Sequence, residues 1–324
     1  MDPAPFLRGV AFAGTSKVPY PRAKPADAPR LPLDTWMQAQ IPVGVRLELT
    51  GAADAIEIDY ETRTDDLGHR GNGAGRTFAA WSGTELVDED KASLGEGTTR
   101  LSVRGRESDR VVVYLPEGMK PVVRDIRASG PMSPAPAQPR WLCYGDSVAE
   151  GWIASGPALA WPHVVARERA LDVTNLGYAG AARGEIVSAE HLAGLSADVI
   201  SISHGTNCWT RIPHSAAQMR ANLEAFLDVV RGGHPDTPIL VASPIVRPDA
   251  EDTPNVLGAT LGDLRIAMEE VVRGRIASGD ARLRLVEGLP IVAADKLGDD
   301  VHPNDDGHRA LAAALGPGLE EMVS

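Results

Sequence analysis

Four short tracts of this 324-residue sequence hold residue types that together could carry out acyl transfer. The first is Gly145-Asp146-Ser147, directly after the apolar run Trp141-Leu142-Cys143-Tyr144. A serine on a tight turn leaving a strand has its hydroxyl lifted off the sheet with backbone N–H groups beside it, and an adjacent base would make it a nucleophile. Asp299-Asp300-Val301-His302 offers that base. An Asp three residues before a His on one loop can reach the ring's Nδ1–H and hold the tautomer that presents Nε2 as a base. In between, Asn175-Leu176-Gly177-Tyr178-Ala179-Gly180 ends a second apolar run and His204-Gly205-Thr206-Asn207 follows a third. Glycine lets the backbone come close and aim an N–H at a bound oxygen, and an Asn amide can donate to a developing oxyanion. Each tract alone has a plainer reading, because Gly, Asp, Asn and Ser at strand ends also make ordinary turns that bond their own backbone. The order of the four, each after a predicted strand, is what points to chemistry.

A regular scaffold must position them, and residues 140–324 supply its pattern. Apolar runs of strand length (Trp141 to Tyr144, Val173 to Leu176, Val199 to Ser203, Ile239 to Ala242, Leu283 to Val286) alternate with stretches of helical period. The latter are Pro162 to Ala170, Ala216 to Arg231, Thr260 to Ile276 and Asp306 to Leu315, with apolar stripes such as Leu223, Phe226, Leu227 and Val230. Such alternation predicts an α/β fold, a mostly parallel sheet covered by helices on both faces, with functional groups at the carboxyl ends of its strands.

Residues from about 40 to 128 read differently. Val45, Leu47 and Leu49 interleave with Arg46 and Glu48, and Ile56, Ile58 and Tyr60 with Glu57 and Asp59, the period of strands with one buried face. Further strands are predicted at Thr77 to Trp81, Arg100 to Arg104, Val111 to Leu115 and Val122 to Ala128, with a turn at Gly71-Asn72-Gly73-Ala74-Gly75. Strand after strand without an intervening helix predicts an all-β sandwich. Ser129 to Pro139 carries four prolines and no periodicity, and is expected to run extended and resist both helix and sheet. The expected organisation is a β-sandwich over 1–130, a linker over 131–139 and an α/β domain over 140–324.

Bulk properties exclude several function classes. The net charge of -12 repels polyanions, which argues against a nucleic-acid partner. No stretch approaches the roughly 20 apolar residues of a membrane helix, and the opening MDPAPFLRGVAFAG lacks the features of a secretion signal, so a cytoplasmic setting is expected. Cys143 and Cys208 are then expected to be reduced thiols. Nothing in the spacing of the eight histidines requires a metal.

Read as blocks, Gly145-Asp146-Ser147, Asn175-x-Gly177-x-x-Gly180, Gly205-x-Asn207 and Asp299-x-x-His302 resemble the SGNH (GDSL-type) hydrolase superfamily over roughly 140–320. The G-x-S-x-G elbow of the α/β-hydrolases is not met, since Ala149 stands where its second glycine would be. The resemblance implies a flavodoxin-like sheet, a serine nucleophile, an oxyanion hole and catalysis without metal or other cofactor. By position, Ser147 matches the nucleophile, His302 the base and Asp299 its orienter, while the Ser147 amide, Gly180 and Asn207 match the oxyanion donors. One departure is Cys208, where the family pattern usually continues from Asn to Asp. A β-rich, jelly-roll-like domain before the hydrolase is similar to the acetyl-esterases of carbohydrate esterase family 2, which implies removal of an acetyl group from a sugar or other hydroxylated small molecule.

Asp146, His204, Trp209, Arg211 and Arg247 adjoin these blocks and are candidate substrate contacts, with His214 close by. His163 reads as packing and His308 as a solvent-facing or capping residue of the last helix. Competing readings use the same serine for acyl transfer to an alcohol, or act on longer acyl chains as a lipase or thioesterase; a catalytically silent glycan-binding protein is the third. With 5% aromatic residues, no long stacking platform for a polysaccharide is evident, and a small-molecule ester is the expected partner. Exposed edges of the β-sandwich could also pair two copies of the chain.

Overall fold

The computed structural model describes residues 1–65, 75–104, 106 and 109–324, so the turn expected at Gly71 to Gly75 lies outside them but for Gly75. The first half forms β1 (Leu7–Arg8), β2 (Arg46–Gly51), β3 (Ala55–Thr62), β4 (Thr77–Ser82), β5 (Glu85–Lys91), β6 (Gly95–Ser102), β7 (Val111–Tyr114), β8 (Val122–Ala128) and β9 (Met132–Pro134). These pair antiparallel into two sheets, one ordered β1-β2-β7-β4-β5 with β9 added to β2, the other β6-β3-β8. Leu47, Leu49, Phe78, Val111 and Val113 of the first sheet and Ile56, Ile58, Leu101 and Ile126 of the second share one core.

Three details depart from expectation. Strand β5 carries Glu85, Asp88, Glu89, Asp90 and Lys91 and so shows no apolar alternation; it is a charged edge strand, stabilised by pairing with β4. Strand β6 begins at Gly95, well before Arg100, because glycine at 97 makes room for the Tyr60 ring, whose hydroxyl would lie 2.6 Å from a Cβ there. The proline-rich tract does join a sheet, since Met132–Pro134 pairs with β2 at an edge where a proline without an N–H is tolerated.

The second half forms β10 (Arg140–Gly145), β11 (Asp172–Gly177), β12 (Val199–Ser203), β13 (Ile239–Ala242) and β14 (Leu283–Val286), all parallel and ordered β11-β10-β12-β13-β14. That order is the flavodoxin-like one. The helices are α1 (Leu33–Ala39), α2 (Ser147–Glu150), α3 (Trp161–Glu168), α4 (Ile186–Gly194), α5 (Ala216–Gly233), α6 (Leu261–Ala277) and α7 (Asp305–Val323). Capping boxes at Ser215/Gln218 and Thr260/Asp263 start α5 and α6 where the sequence places them. Helix α7 runs through Pro317, past the expected end at Leu315, because Leu311, Leu315 and Leu319 continue one buried stripe whose burial outweighs the lost hydrogen bond. Among the described residues no helix is long and apolar enough to cross a membrane.

The first forty residues divide between the two halves: Phe6 and β1 belong with the antiparallel sheets, the residues from Ala23 on do not. Ala23, Leu31 and Ala39 are buried in the same core as Leu142, Tyr144, Leu176 and Ile200 of the parallel sheet. Just after them, Arg46 of β2 is 1% exposed and ties the two halves together. Its Nε lies 2.7 Å from Glu48 Oε1, its Nη2 2.8 Å from Asp172 Oδ1, and its Nη1 donates to the Val173 carbonyl at 2.9 Å. Burial opposes the charge, but the carboxylates of Glu48 and Asp172 outweigh it and keep the guanidinium protonated. Arg46→Ala would leave Glu48 and Asp172 undercompensated and should lower stability by about 3 to 5 kcal/mol in urea denaturation; a loss below about 1 kcal/mol would show that the bridge is dispensable.

Candidate active site

Strand β10 must end abruptly for the serine to clear the sheet. At Gly145 a Cβ would lie 2.4 Å from the Ser203 carbonyl, so only glycine lets this strand run so close to β12. Asp146 then caps α2: its N–H donates to the Ser203 carbonyl at 3.2 Å, and its Oδ1 accepts the Val148 N–H at 3.0 Å. Ser147 is the first residue of that helical turn, and its own N–H is one of the donors a helix start leaves without an intrahelical acceptor.

The loop after α6 and β14 brings His302 to it. Asp300 adopts φ of +63°, a left-handed conformation that Asp tolerates, and so folds Asp299 back over the next residues. Asp299 Oδ1 accepts the N–H groups of His302 at 2.8 Å and Val301 at 3.2 Å, and Oδ2 lies 2.8 Å from His302 Nδ1. On the other side of the ring, Nε2 lies 2.9 Å from Ser147 Oγ. The loop is closed at its neck, where Gly298 N–H donates to the His302 carbonyl at 2.7 Å and Asn304 caps α7 through the Gly307 N–H at 3.0 Å. Burial alone would raise the Asp299 carboxyl, but the bonds from the His302 ring and from the backbone N–H groups hold it below the usual carboxylate range. It is therefore ionised at neutral pH. A hydroxyl bonded to an imidazole whose other nitrogen is held by a carboxylate can lose its proton as it attacks an electrophile.

The second and third tracts close the opposite side. Gly177 ends β11 so near α2 that a Cβ there would lie 2.4 Å from the Glu150 nitrogen. Asn175 locks this approach, donating to the Ala149 carbonyl and accepting the Gly177 N–H, both at 2.9 Å. Gly180 follows at φ of +66°, the left-handed region that favours glycine. Asn207 lies 6% exposed in a short 3-10 turn, and its Nδ2 donates to the Ala181 carbonyl, which fixes the plane of the amide and leaves its second N–H for another acceptor. Cys208 is fully buried with its thiol 3.9 Å from the Arg183 carbonyl, so a small apolar side chain packs where an Asp would need partners. Burial pushes this thiol up, and the Cys143 thiol to about 12; both are free.

Of the candidate substrate contacts, Asp146 and His204 turn inward. Asp146 is 3% exposed; burial raises its pKa to about 6, with the N–H groups of Val148 and Thr206 and the more distant Arg247 drawing it back. Its carboxylate is consumed in holding the serine turn. His204 is packed against Tyr144 and Phe226, ring centroids 5.6 and 5.9 Å away, and burial, with His214 nearby, lowers its pKa to about 3, so it is a neutral core residue. Arg211 is exposed, whereas Arg247 stacks 4.9 Å over Trp209 and pairs with Asp249 at 2.8 Å. His163 packs against Tyr114 as expected, but His308 is buried, not solvent-facing, and its Nδ1 accepts the Trp161 N–H at 3.3 Å. Sequence reasoning missed Trp152, whose ring lies 6.0 Å from that of His302; its place five residues after Ser147, just past the short α2, was the available signal. Among the described residues, no three His, Cys, Asp or Glu side chains gather as metal ligands.

The GDSL-like lipase/acylhydrolase family model matches residues 143–310, which spans all four tracts. No protein of curated function matches the chain in sequence. Among solved structures, the chain resembles a salicylyl-acyltransferase from a tetracycline biosynthetic pathway, at 23% identity and a TM-score of 0.80, over 95% of this chain and 92% of that one. A structure described as a GDSL-like lipase of Bacteroides ovatus is similar at 20% identity and a TM-score of 0.78, over 98% and 95%. A family two carbohydrate esterase of Clostridium thermocellum, solved with cellohexaose, is similar at 16% identity and a TM-score of 0.63, over 86% and 91%. At these identities the likeness is one of fold, and it extends over both halves of the chain. The family match together with the four tracts shows that this chain belongs to the GDSL-like lipase/acylhydrolase family and is an esterase-type enzyme.

Proposed function

We propose that the chain removes a short acyl group, acetyl foremost, from a sugar or other hydroxylated small molecule through an acyl-enzyme on Ser147. The observation that carries this reading is the relay from Ser147 Oγ to His302 Nε2 at 2.9 Å and from His302 Nδ1 to Asp299 Oδ2 at 2.8 Å. As Oγ bonds to the ester carbonyl carbon, its proton passes to Nε2. The carbonyl oxygen, now anionic, is met by the N–H groups of Ser147 and Gly180 and by the Asn207 amide. Collapse of this intermediate breaks the bond to the alcohol, which leaves with the proton from His302. Water repeats the sequence in reverse, giving up a proton to Nε2 and releasing the acid with Ser147 restored. In the same reading, the two antiparallel sheets form a jelly-roll-like sandwich flanking the site, with Trp209 and Arg247 at its rim.

The whole-length likeness to a salicylyl-acyltransferase supports a second reading, in which an alcohol replaces water in the last step. Release of free acid from p-nitrophenyl esters of two, four, eight and twelve carbons, with and without sugar acceptors, distinguishes the readings. Hydrolysis of acetate without an acceptor is the expected result; turnover that requires the acceptor would favour transfer, and a rise with chain length would favour a lipase or thioesterase.

Ser147→Ala and His302→Ala should each abolish turnover of p-nitrophenyl acetate, by about 10⁴-fold or more in kcat. Asp299→Asn should cost less than His302→Ala, and equal losses would contradict the assigned order of roles. Asn207→Ala, measured in the same assay, should lower kcat by about 10² to 10³-fold with little change in KM. A change in KM alone would instead place that amide on bound substrate.

A further inference from the structure

We infer that Arg22 and Asp34 of the N-terminal segment are positioning residues for Gly180, so that this segment sets the direction of an oxyanion donor. The inference rests on the serine reading above. Gly180 has no packing of its own to orient it: its φ is +66°, and a Cβ there would meet nothing within 4 Å. Its N–H direction is set by what holds the residues on either side. On the preceding side, three consecutive residues are tied to Arg22 or to its partner. Arg22 is 0% exposed, anchored to its own segment through Nε to the Ile41 carbonyl and Nη2 to the Gln38 carbonyl, both at 2.7 Å. Its Nη1 donates to the Gly177 carbonyl, its guanidinium lies 5.1 Å from the centroid of the Tyr178 ring, and its own carbonyl accepts the Tyr178 hydroxyl at 2.7 Å. Its Nη2 also meets Glu150 Oε2 at 3.2 Å, and that same oxygen accepts the Ala179 N–H at 2.9 Å. Glu150 is the last residue of the helical turn that Ser147 begins, so one buried ion pair joins the nucleophile turn to the oxyanion loop.

On the following side, Arg183 Nη2 donates to the Gly180 carbonyl at 3.2 Å and to Asp34 of α1. The next residue of α1, Thr35, donates to Glu185 Oε1 at 3.1 Å, and Glu185 lies 3.5 Å from Arg183 Nη1. The peptide that presents the Gly180 N–H is thus bracketed by side chains of residues 22 and 34, outside every catalytic tract. Stability alone does not require such a device, since apolar residues of like volume commonly replace a buried ion pair at no cost. Oxyanion donors must sit within about 0.5 Å of their working place, so a loosened loop loses rate before it loses fold.

The test compares Asp34→Asn, the double variant Arg22→Met with Glu150→Gln, Arg22→Lys and Ser147→Ala with the full-length wild type. The double variant removes both buried charges together and leaves none alone. Asp34, 36% exposed at its side chain, tolerates substitution should the double variant not fold. With p-nitrophenyl acetate, Asp34→Asn and the double variant should each lose about 10- to 100-fold in kcat with KM within about threefold. The inflection of the kcat/KM pH profile should stay at its wild-type position, because the brace does not touch His302. Arg22→Lys should recover part of the loss. Folded variants with wild-type kcat, or a loss accompanied by a shifted inflection, would overturn the inference. Ser147→Ala separates the two levels: activity surviving in it overturns the serine reading, whereas a dead Ser147→Ala beside fully active brace variants overturns the brace alone.

Discussion

The 2.9 Å contact between Ser147 Oγ and His302 Nε2 joins residues 155 positions apart, and the fold around it can be understood as what such a contact demands. Parallel strands bring their carboxyl ends to one edge, so a turn after β10, a glycine loop after β11 and a short 3-10 turn after β12 meet there without any long excursion of chain. The imidazole arrives on the long loop that follows β14 at the same edge, and that loop is held by the left-handed Asp300, the closed neck at Gly298 and the cap of α7. The result is an imidazole oriented by its own neighbour, Asp299.

The proposed oxyanion side is built differently. Around Gly180 the proposed brace draws on charged side chains of the N-terminal segment, buried Arg22 and partly exposed Asp34, and at the seam between the halves Arg46 plays the comparable part, bridging β2 and β11. A boundary at the proline-rich tract therefore describes the sheets and not the packing. Ala23, Leu31 and Ala39, all before position 40, lie in the core of the parallel sheet, and strand β9, within the stretch expected to be a linker, belongs to an antiparallel one. This gives a physical reason for the likeness to known structures to span nearly the whole chain and not only the residues that carry the four tracts.

Much of this was legible in the sequence. Strands β10 and β13 are buried almost throughout and so appear as short apolar runs, and α5 and α6 announce themselves by helical period. Gly145 to Ser147, Gly177 to Gly180, Asn207 and the Asp299/His302 pair could be read as candidates because each proposed role needs a particular residue type in a loop after a strand. What was not legible depends on tertiary context. Strand β5 carries mostly charges, α1 is only two turns long, and α4, Ile186–Gly194, is apolar over most of its surface and so shows no clear stripe. His204 and Asp146 adjoin the site in sequence yet point into the interior. Arg22 sits in a proline-rich, polar stretch where an arginine is ordinarily a surface charge, and nothing local reveals that Glu150 and the Gly177 carbonyl await it.

In the proposed site, three separate loops and a base converge on one carbonyl, and this convergence is a matter of geometry. It is tested most directly by a crystal structure of the protein after reaction with an organophosphonate ester that mimics the tetrahedral intermediate. The account predicts a covalent bond to Ser147 Oγ with one phosphonyl oxygen about 2.7 to 3.1 Å from the nitrogens of Ser147 and Gly180 and from Asn207 Nδ2. An adduct on another residue, or one on Ser147 whose oxygens face only solvent, would contradict it.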